Sequence, residues 1–326
     1  MKINKKTVLI SISVIAVLPL IFRGNPYVIH ILTLCLIWGV VASAWDLIVA
    51  YANVFSFGQM AFFAIAGYTS SMMSLYWGVS PALGILAGAG LAALAGILVG
   101  LPCLRLRGMY IAVVTLALHL VLPTLLIQGR IYGTGGSRGL GGIPPIEVLG
   151  QPLGPLGWYY VGLGIFFTML FLTYKIINSS TGLAFVALRD APAAAGSLGV
   201  NEYRYKLIVF GISAFITGVM GGFYAHYIGI ISPAILGTDI FLMVIAMMLF
   251  GGLGRFPGAV VGAFTITLVN ELLRPVGHFR LLILGAIIVV TLIYMPGGLM
   301  GIIESLGNLI SRVKSRRLNM RHKETT

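Results

Sequence analysis

The sequence predicts an all-α, polytopic membrane protein, and three observations carry that prediction. Hydrophobic residues make up 59% of the 326-residue chain and charged residues 9%, against roughly 25% charged in a soluble domain, and the mean hydropathy is +1.02. Apolar runs of about 20 residues recur, the length that crosses a ~30 Å hydrocarbon layer as helix. These runs are continuous rather than alternating. That excludes a closed barrel and leaves helices as the way to satisfy the backbone in lipid.

Ten membrane segments are expected within a single domain spanning 1–326, near 7–22, 27–48, 55–76, 82–102, 109–128, 157–177, 205–229, 238–252, 257–273 and 280–296. The first follows a basic start and resembles a secretory signal. It lacks a small-x-small cleavage site before Arg23, so an uncleaved span is expected. The third is rich in Ser and Gly, so a break is expected in it, and the eighth, 15 residues long, is expected to be tilted or discontinuous. With the N-terminus inside, every Lys and Arg except Arg23, Arg130, Arg138, Arg274 and Arg280 falls on the cytoplasmic side, so both termini are expected to be cytoplasmic. The net charge of +13 follows from this topology and does not indicate nucleic acid. The basic tail 305–326 is expected to touch anionic lipid headgroups.

Two connections stand out. Residues 129–156 are rich in Gly and Pro, favour turns over helix, and are expected outside. The cytoplasmic loop 178–204 is a polar island in an apolar chain, with Arg189, Asp190, Glu202 and Arg204. It reads as a helix, a break at Pro192, a second short helix and a Gly stop. The alternative is an amphipathic helix on the inner leaflet, although its polar face carries few basic residues. Cys35 and Cys103 have no disulfide or metal spacing, and the five histidines form no i, i+4 pair, so no metal site is expected. Asp46, Asp239 and Glu271 lie near segment ends, where water or headgroups are within reach; Glu271 and Arg274 are spaced to pair on a helix.

Several ordered motifs resemble a known family. After the 181–200 loop come Phe210-Gly211-Ile212-Ser213-Ala214-Phe215, Gly221-Gly222, Ile231-Ser232-Pro233 and Gly251-Gly252-Leu253-Gly254-Arg255-Phe256-Pro257-Gly258. Earlier stretches are Ser56-Phe57-Gly58-Gln59-Met60-Ala61-Phe62-Phe63, Leu104-Arg105-Leu106-Arg107-Gly108 and Thr134-Gly135-Gly136-Ser137-Arg138-Gly139. Over roughly residues 40 to 300 the chain resembles the branched-chain amino-acid (Liv-type) permeases of bacterial ABC importers. It departs from the family pattern at Ala191 and Ser197, where more acidic residues are usual, and at Asn53, where a Gly is common.

The resemblance implies a multi-pass subunit of the bacterial inner membrane, paired with a second homologous permease, two cytoplasmic ATPases and a periplasmic or lipid-anchored solute-binding protein. It also implies that Gly182, Leu183, Ala187, Arg189, Asp190, Ala194, Leu198 and Gly199 form the ATPase-coupling surface. Ser56, Gly58, Gln59 and Phe63 are candidate pathway residues; for Ser56, Gly58 and Gln59 the reason is that small and polar groups in an apolar span can face a water-filled route, with close helix packing as the alternative. No Gly-Lys dipeptide occurs, so a Walker A motif is absent. ATP and Mg are therefore expected on partner ATPases, with no cofactor and no catalytic site on this chain. The gly-rich 251–254 stretch is read as a tight inner turn, because each helical Gly costs ~1 kcal/mol.

Within the family, a urea or short-amide importer is the rival reading. A stand-alone secondary transporter would favour mid-span charges and broken helices in both halves, and the chain has few such charges. An intramembrane enzyme would need a nucleophile–base or metal constellation, which the spacing does not show.

Overall fold

A computed structural model of the chain describes residues 15–302 apart from 104, 105, 107, 149, 278 and 296. The basic tail, Lys2, Lys5, Lys6, Arg105 and Arg107 lie outside the described residues. Residues 7–14 of the first predicted segment lie outside the described residues. The described helices at the predicted segments are α1 (15–21), α2 (Pro26–Asp46), α3 (Gln59–Trp77), α4 (Pro81–Cys103), α5 (Met109–Gln128), α6 (Pro155–Ile177), α9 (Glu202–Ile228), α10 (Thr238–Gly251), α11 (Gly258–Leu272) and α12 (Phe279–Tyr294). The polar island forms α7 (Ser180–Asp190) and α8 (Pro192–Ser197). Among the described residues, five segments are by themselves long and apolar enough to cross a membrane: Pro26–Tyr51, Pro81–Cys103, Met109–Tyr132, Pro155–Ile177 and Glu202–Ile228.

Local chemistry sets the helix ends. Asn25 accepts from the Tyr27 and Val28 amides at 3.1 and 3.4 Å and Pro26 occupies the first turn, so α2 begins where two orphan donors find an acceptor. Asn201 caps α9 in the same way, accepting from the Arg204 amide at 3.1 Å.

The core lies where α9 packs on α3 and α4, and where α2 joins α6 and α11. Buried Trp45, Phe62, Phe63, Phe210 and Phe223 fill it. The close approach depends on missing side chains: a Cβ on Gly221 would lie 2.2 Å from the Phe63 carbonyl oxygen, and one on Gly88 would lie 2.5 Å from that of Ala66. Hydrocarbon offers little drive for apolar helices to associate, so backbone-to-backbone packing through small residues carries the contact.

The third segment is interrupted at its start, whereas the eighth is short but forms one continuous helix. After α2 the chain makes a π turn, Leu47–Tyr51, and is then non-helical until Gln59, so Ser56 and Gly58 precede α3 rather than lying within it. α10 has 14 residues, about 21 Å of helix, short of a ~30 Å layer, and a tight Pro233–Leu236 turn leads into it.

The Gly/Pro-rich 129–156 connection adds strands that the sequence did not announce. β1 (Leu140–Gly141) pairs antiparallel with β4 (Ile230–Ile231), and β2 (Glu147–Val148) with β3 (Gln151–Pro152). His226 secures the same loop: its Nδ1 donates to the Pro144 carbonyl at 2.7 Å, which leaves Nε2 to accept from the Ser70 hydroxyl at 2.8 Å.

One expectation is corrected. Asp46 is buried, with 3% exposure, and its Oδ1 accepts from the Gly254 amide at 2.9 Å rather than reaching headgroup or water. A buried turn amide needs an acceptor, and this carboxylate supplies it. Glu271 does pair with Arg274, at 3.1 Å, and also accepts from the Tyr27 hydroxyl.

Candidate functional site

The α7–α8 pair leaves the packed helices at Ser179, whose hydroxyl accepts from the Gly182 amide at 3.4 Å and caps α7. Gly182 is fixed by space: a Cβ there would sit 2.1 Å from the Ile177 carbonyl oxygen. At Ala191 the backbone turns out of helix, φ −147° and ψ 71°, as a residue ahead of proline does. Gly199, with φ +84°, stops the second helix.

The predicted coupling residues fall into two groups. Leu183 and Leu198 are 70% and 85% exposed, and Asp190, Ala194 and Gly199 are exposed as well. Gly182, Ala187 and Arg189 instead turn toward the protein. Two anchors escaped the sequence reading. Phe185 is buried edge-on against Tyr205, with ring centroids 6.0 Å apart, and Ala195 is buried under α8. A buried aromatic inside a polar island was the available signal for the first.

Arg189 joins this pair to the membrane helices. Its Nη1 donates to the Ala50 carbonyl at 3.0 Å, within the π turn, while Nε donates to Asp190 at 2.8 Å. The hydrogen bond with Asp190 raises the guanidinium above its usual value and holds the Asp190 carboxyl below the ordinary carboxylate range. Close by, the Gly251–Gly254 turn carries Gly252 at φ +107° and Gly254 at φ +67°. The Gly254 amide donates to Asp46 and the Phe256 amide donates to the Tyr51 hydroxyl at 3.1 Å. The end of α2 is therefore held from both α7 and the α10–α11 turn.

The candidate pathway residues are all buried, Ser56 and Gly58 in the break before α3 and Gln59 and Phe63 in its first two turns. Gln59 Nε2 donates to the Ser213 hydroxyl at 2.9 Å, to the Ser213 carbonyl at 3.2 Å, and to the Thr217 hydroxyl. Ser213 in turn donates to the Ala44 carbonyl at 2.8 Å, so α2, α3 and α9 share one polar knot. Trp45 Nε1 donates to the Ser56 carbonyl at 2.7 Å, and the Phe57 amide donates to Thr115 at 2.9 Å. These partners satisfy a non-helical backbone at membrane depth, which is tolerated where protein surrounds it. Trp45, Thr115 and Thr217 were not singled out from sequence, and Ser213 stood there only within a motif, because ordinary helix positions give no sign of a partner far along the chain.

Against known proteins, the family described as branched-chain amino acid transport system / permease component matches residues 27–292. The high-affinity branched-chain amino acid transport system permease protein LivM of Escherichia coli K12 is 29% identical, covering 91% of this chain and 75% of the relative. The autoinducer 2 import system permease protein LsrC of Yersinia pseudotuberculosis IP 31758 is 26% identical over 77% of each chain. That of Enterobacter sp. 638 is 28% identical over 49% of this chain and 50% of the relative. No solved structure matches. With the family matched along most of its length and apolar helices throughout, the chain is a multi-pass membrane protein that belongs to the branched-chain amino acid transport system permease family.

Proposed function

We propose that this chain is a permease subunit of an ABC importer in the bacterial cytoplasmic membrane, carrying branched-chain or other hydrophobic amino acids by alternating access. In this reading it pairs with a second homologous permease, two ATPases that bind ATP and Mg, and an external solute-binding protein. The observation that carries it is the α7–α8 pair: Leu183 and Leu198 stand in the open on a segment tied through Arg189 to the end of α2. Exposed leucines on a polar connection suit a contact with a partner protein. The tie gives that contact a mechanical route inward. Gly182, Ala187, Asp190, Ala194 and Gly199 shape the same surface, while Ser56, Gly58, Gln59 and Phe63 form the part of the pathway wall that the route reaches.

The amino-acid cargo is favoured over others in the family because the LivM relative covers 91% of this chain, more than either LsrC relative. The test is ATP-driven uptake in vesicles holding this chain with its partner permease, both ATPases and the binding protein. Labelled leucine should accumulate only when ATP and the binding protein are both present. Accumulation without the ATPases would point to a stand-alone transporter, and urea uptake in place of leucine would reassign the cargo.

A further inference from the structure

A cleft of about 180 Å³ lies against the inward side of α7. Sites for drug-sized ligands run ~300–1,000 Å³, so this one suits a small metabolite. Four separate stretches wall it: the break before α3, the start of α5, α7, and the first turns of α9. Phe55, Ile111, Phe185 and Leu188 give the lining an apolar part, and Glu202, Lys206 and Arg189 give it charges of both signs. Lys206 pairs with Glu202 at 2.6 Å, its side chain only 15% exposed. Partial removal from water strengthens what such charges do to a ligand.

Asn53 completes the lining and is the unusual member. It is the non-glycine residue with positive φ, +53°, among the described residues. Asn tolerates this backbone better than other side chains. Keeping a side chain where the backbone favours glycine adds an amide to the cleft at some cost in strain, and such outliers gather at functional sites.

We propose that this cleft binds a zwitterionic amino acid with an apolar side chain, arriving from the α7 face, and that its occupancy slows transport. Lys206 and Arg189 take the carboxylate, Glu202 and the Asn53 amide take the ammonium, and the apolar part takes the side chain. A ligand touching α7, α9 and the break before α3 together stabilises the arrangement in which they are adjacent. Conformations that part them become rarer, and so does the transport cycle. The inference rests on the proposed function, since it makes the delivered amino acid the ligand of an inner-face site.

The experiment compares initial ATP-driven leucine uptake into vesicles of the assembled importer preloaded with leucine, with aspartate, or with neither. Leucine inside should slow uptake by about fivefold or more, the low end of ordinary coupling between sites, and aspartate should leave it unchanged. Asn53→Gly, which fits the backbone, and Lys206→Gln should each remove the slowing while matching the parent in leucine-free vesicles. Equal rates in loaded and empty vesicles, or slowing that survives both substitutions, would overturn the cleft proposal and leave the importer reading intact. No uptake into empty vesicles would instead sink the importer reading.

Discussion

Replacing Arg189 with alanine removes the hydrogen bond between α7 and the end of α2, and its effect can be bounded. A bond from a charged donor to a carbonyl contributes ~1.5–3 kcal/mol in a protected setting. The Arg189 side chain is 33% exposed, so water screens part of this and about 1–1.5 kcal/mol is a fair figure. That corresponds to about a five- to tenfold change in how often a movement of α7 carries α2 with it. The readout is ATP hydrolysed per leucine imported, measured in the same vesicles. The ratio should rise about five- to tenfold in Arg189→Ala, with normal amounts of protein in the membrane. Arg189→Lys should fall between, since an ammonium cannot fork between Ala50 and Asp190, and Arg189→Glu should uncouple fully. Acidity supplies an internal check. The Asp190 carboxyl is held below its unfolded value, so its contribution is complete above about pH 4 and is lost as pH falls through the folded value. The ratio should therefore stay flat between about pH 8 and 5 as far as this pair governs it. An unchanged ratio in Arg189→Ala would refute the coupling route.

Two further substitutions probe the supports of this arrangement. Gly182→Ala places a Cβ 2.1 Å from the Ile177 carbonyl oxygen; overpacking of this kind costs ~1–3 kcal/mol and should lower co-purification of the ATPases, whereas wild-type retention would show that α7 can shift without penalty. Gln59→Ala leaves the polar groups of Ser213 and Thr217 short of a buried partner, a loss of ~1–3 kcal/mol, and should lower the unfolding midpoint in detergent; an unmoved midpoint would mean that water replaces the amide.

The helices were readable because membrane length and apolar continuity are local properties, and so was the break at Pro192, where one residue dictates its neighbour's backbone. The contacts that organise the candidate site were not readable in the same way. Arg189 meets Ala50 across 139 positions and Gly254 meets Asp46 across 208. Neither partner advertises itself: Ala50 offers a backbone carbonyl, and Asp46 looked like one more interfacial carboxylate. The β1–β4 pairing was hidden for a related reason, since two-residue strands leave no alternating pattern to detect. Leu183 and Leu198 were visibly apolar in the sequence, but their exposure is a property of the fold.

These long-range contacts converge on one short stretch. The π turn Leu47–Tyr51 receives Arg189 at the Ala50 carbonyl and supplies the Tyr51 hydroxyl to the Phe256 amide, with Asp46 just ahead of it bound to Gly254. The next residues form the non-helical break that leads into α3. A continuous helix would pass a push from α7 along its own axis as a rigid rod. A π turn followed by irregular backbone is a softer element, held by a few side-chain contacts such as Trp45 to Ser56 and Thr115 to Phe57 rather than by a full ladder, and segments of this kind open at lower cost than helices. Under the proposed coupling, force entering at Arg189 would reach this non-helical stretch, Ser56–Gly58, next to the Gln59 knot, so a change in the proposed pathway wall would begin there.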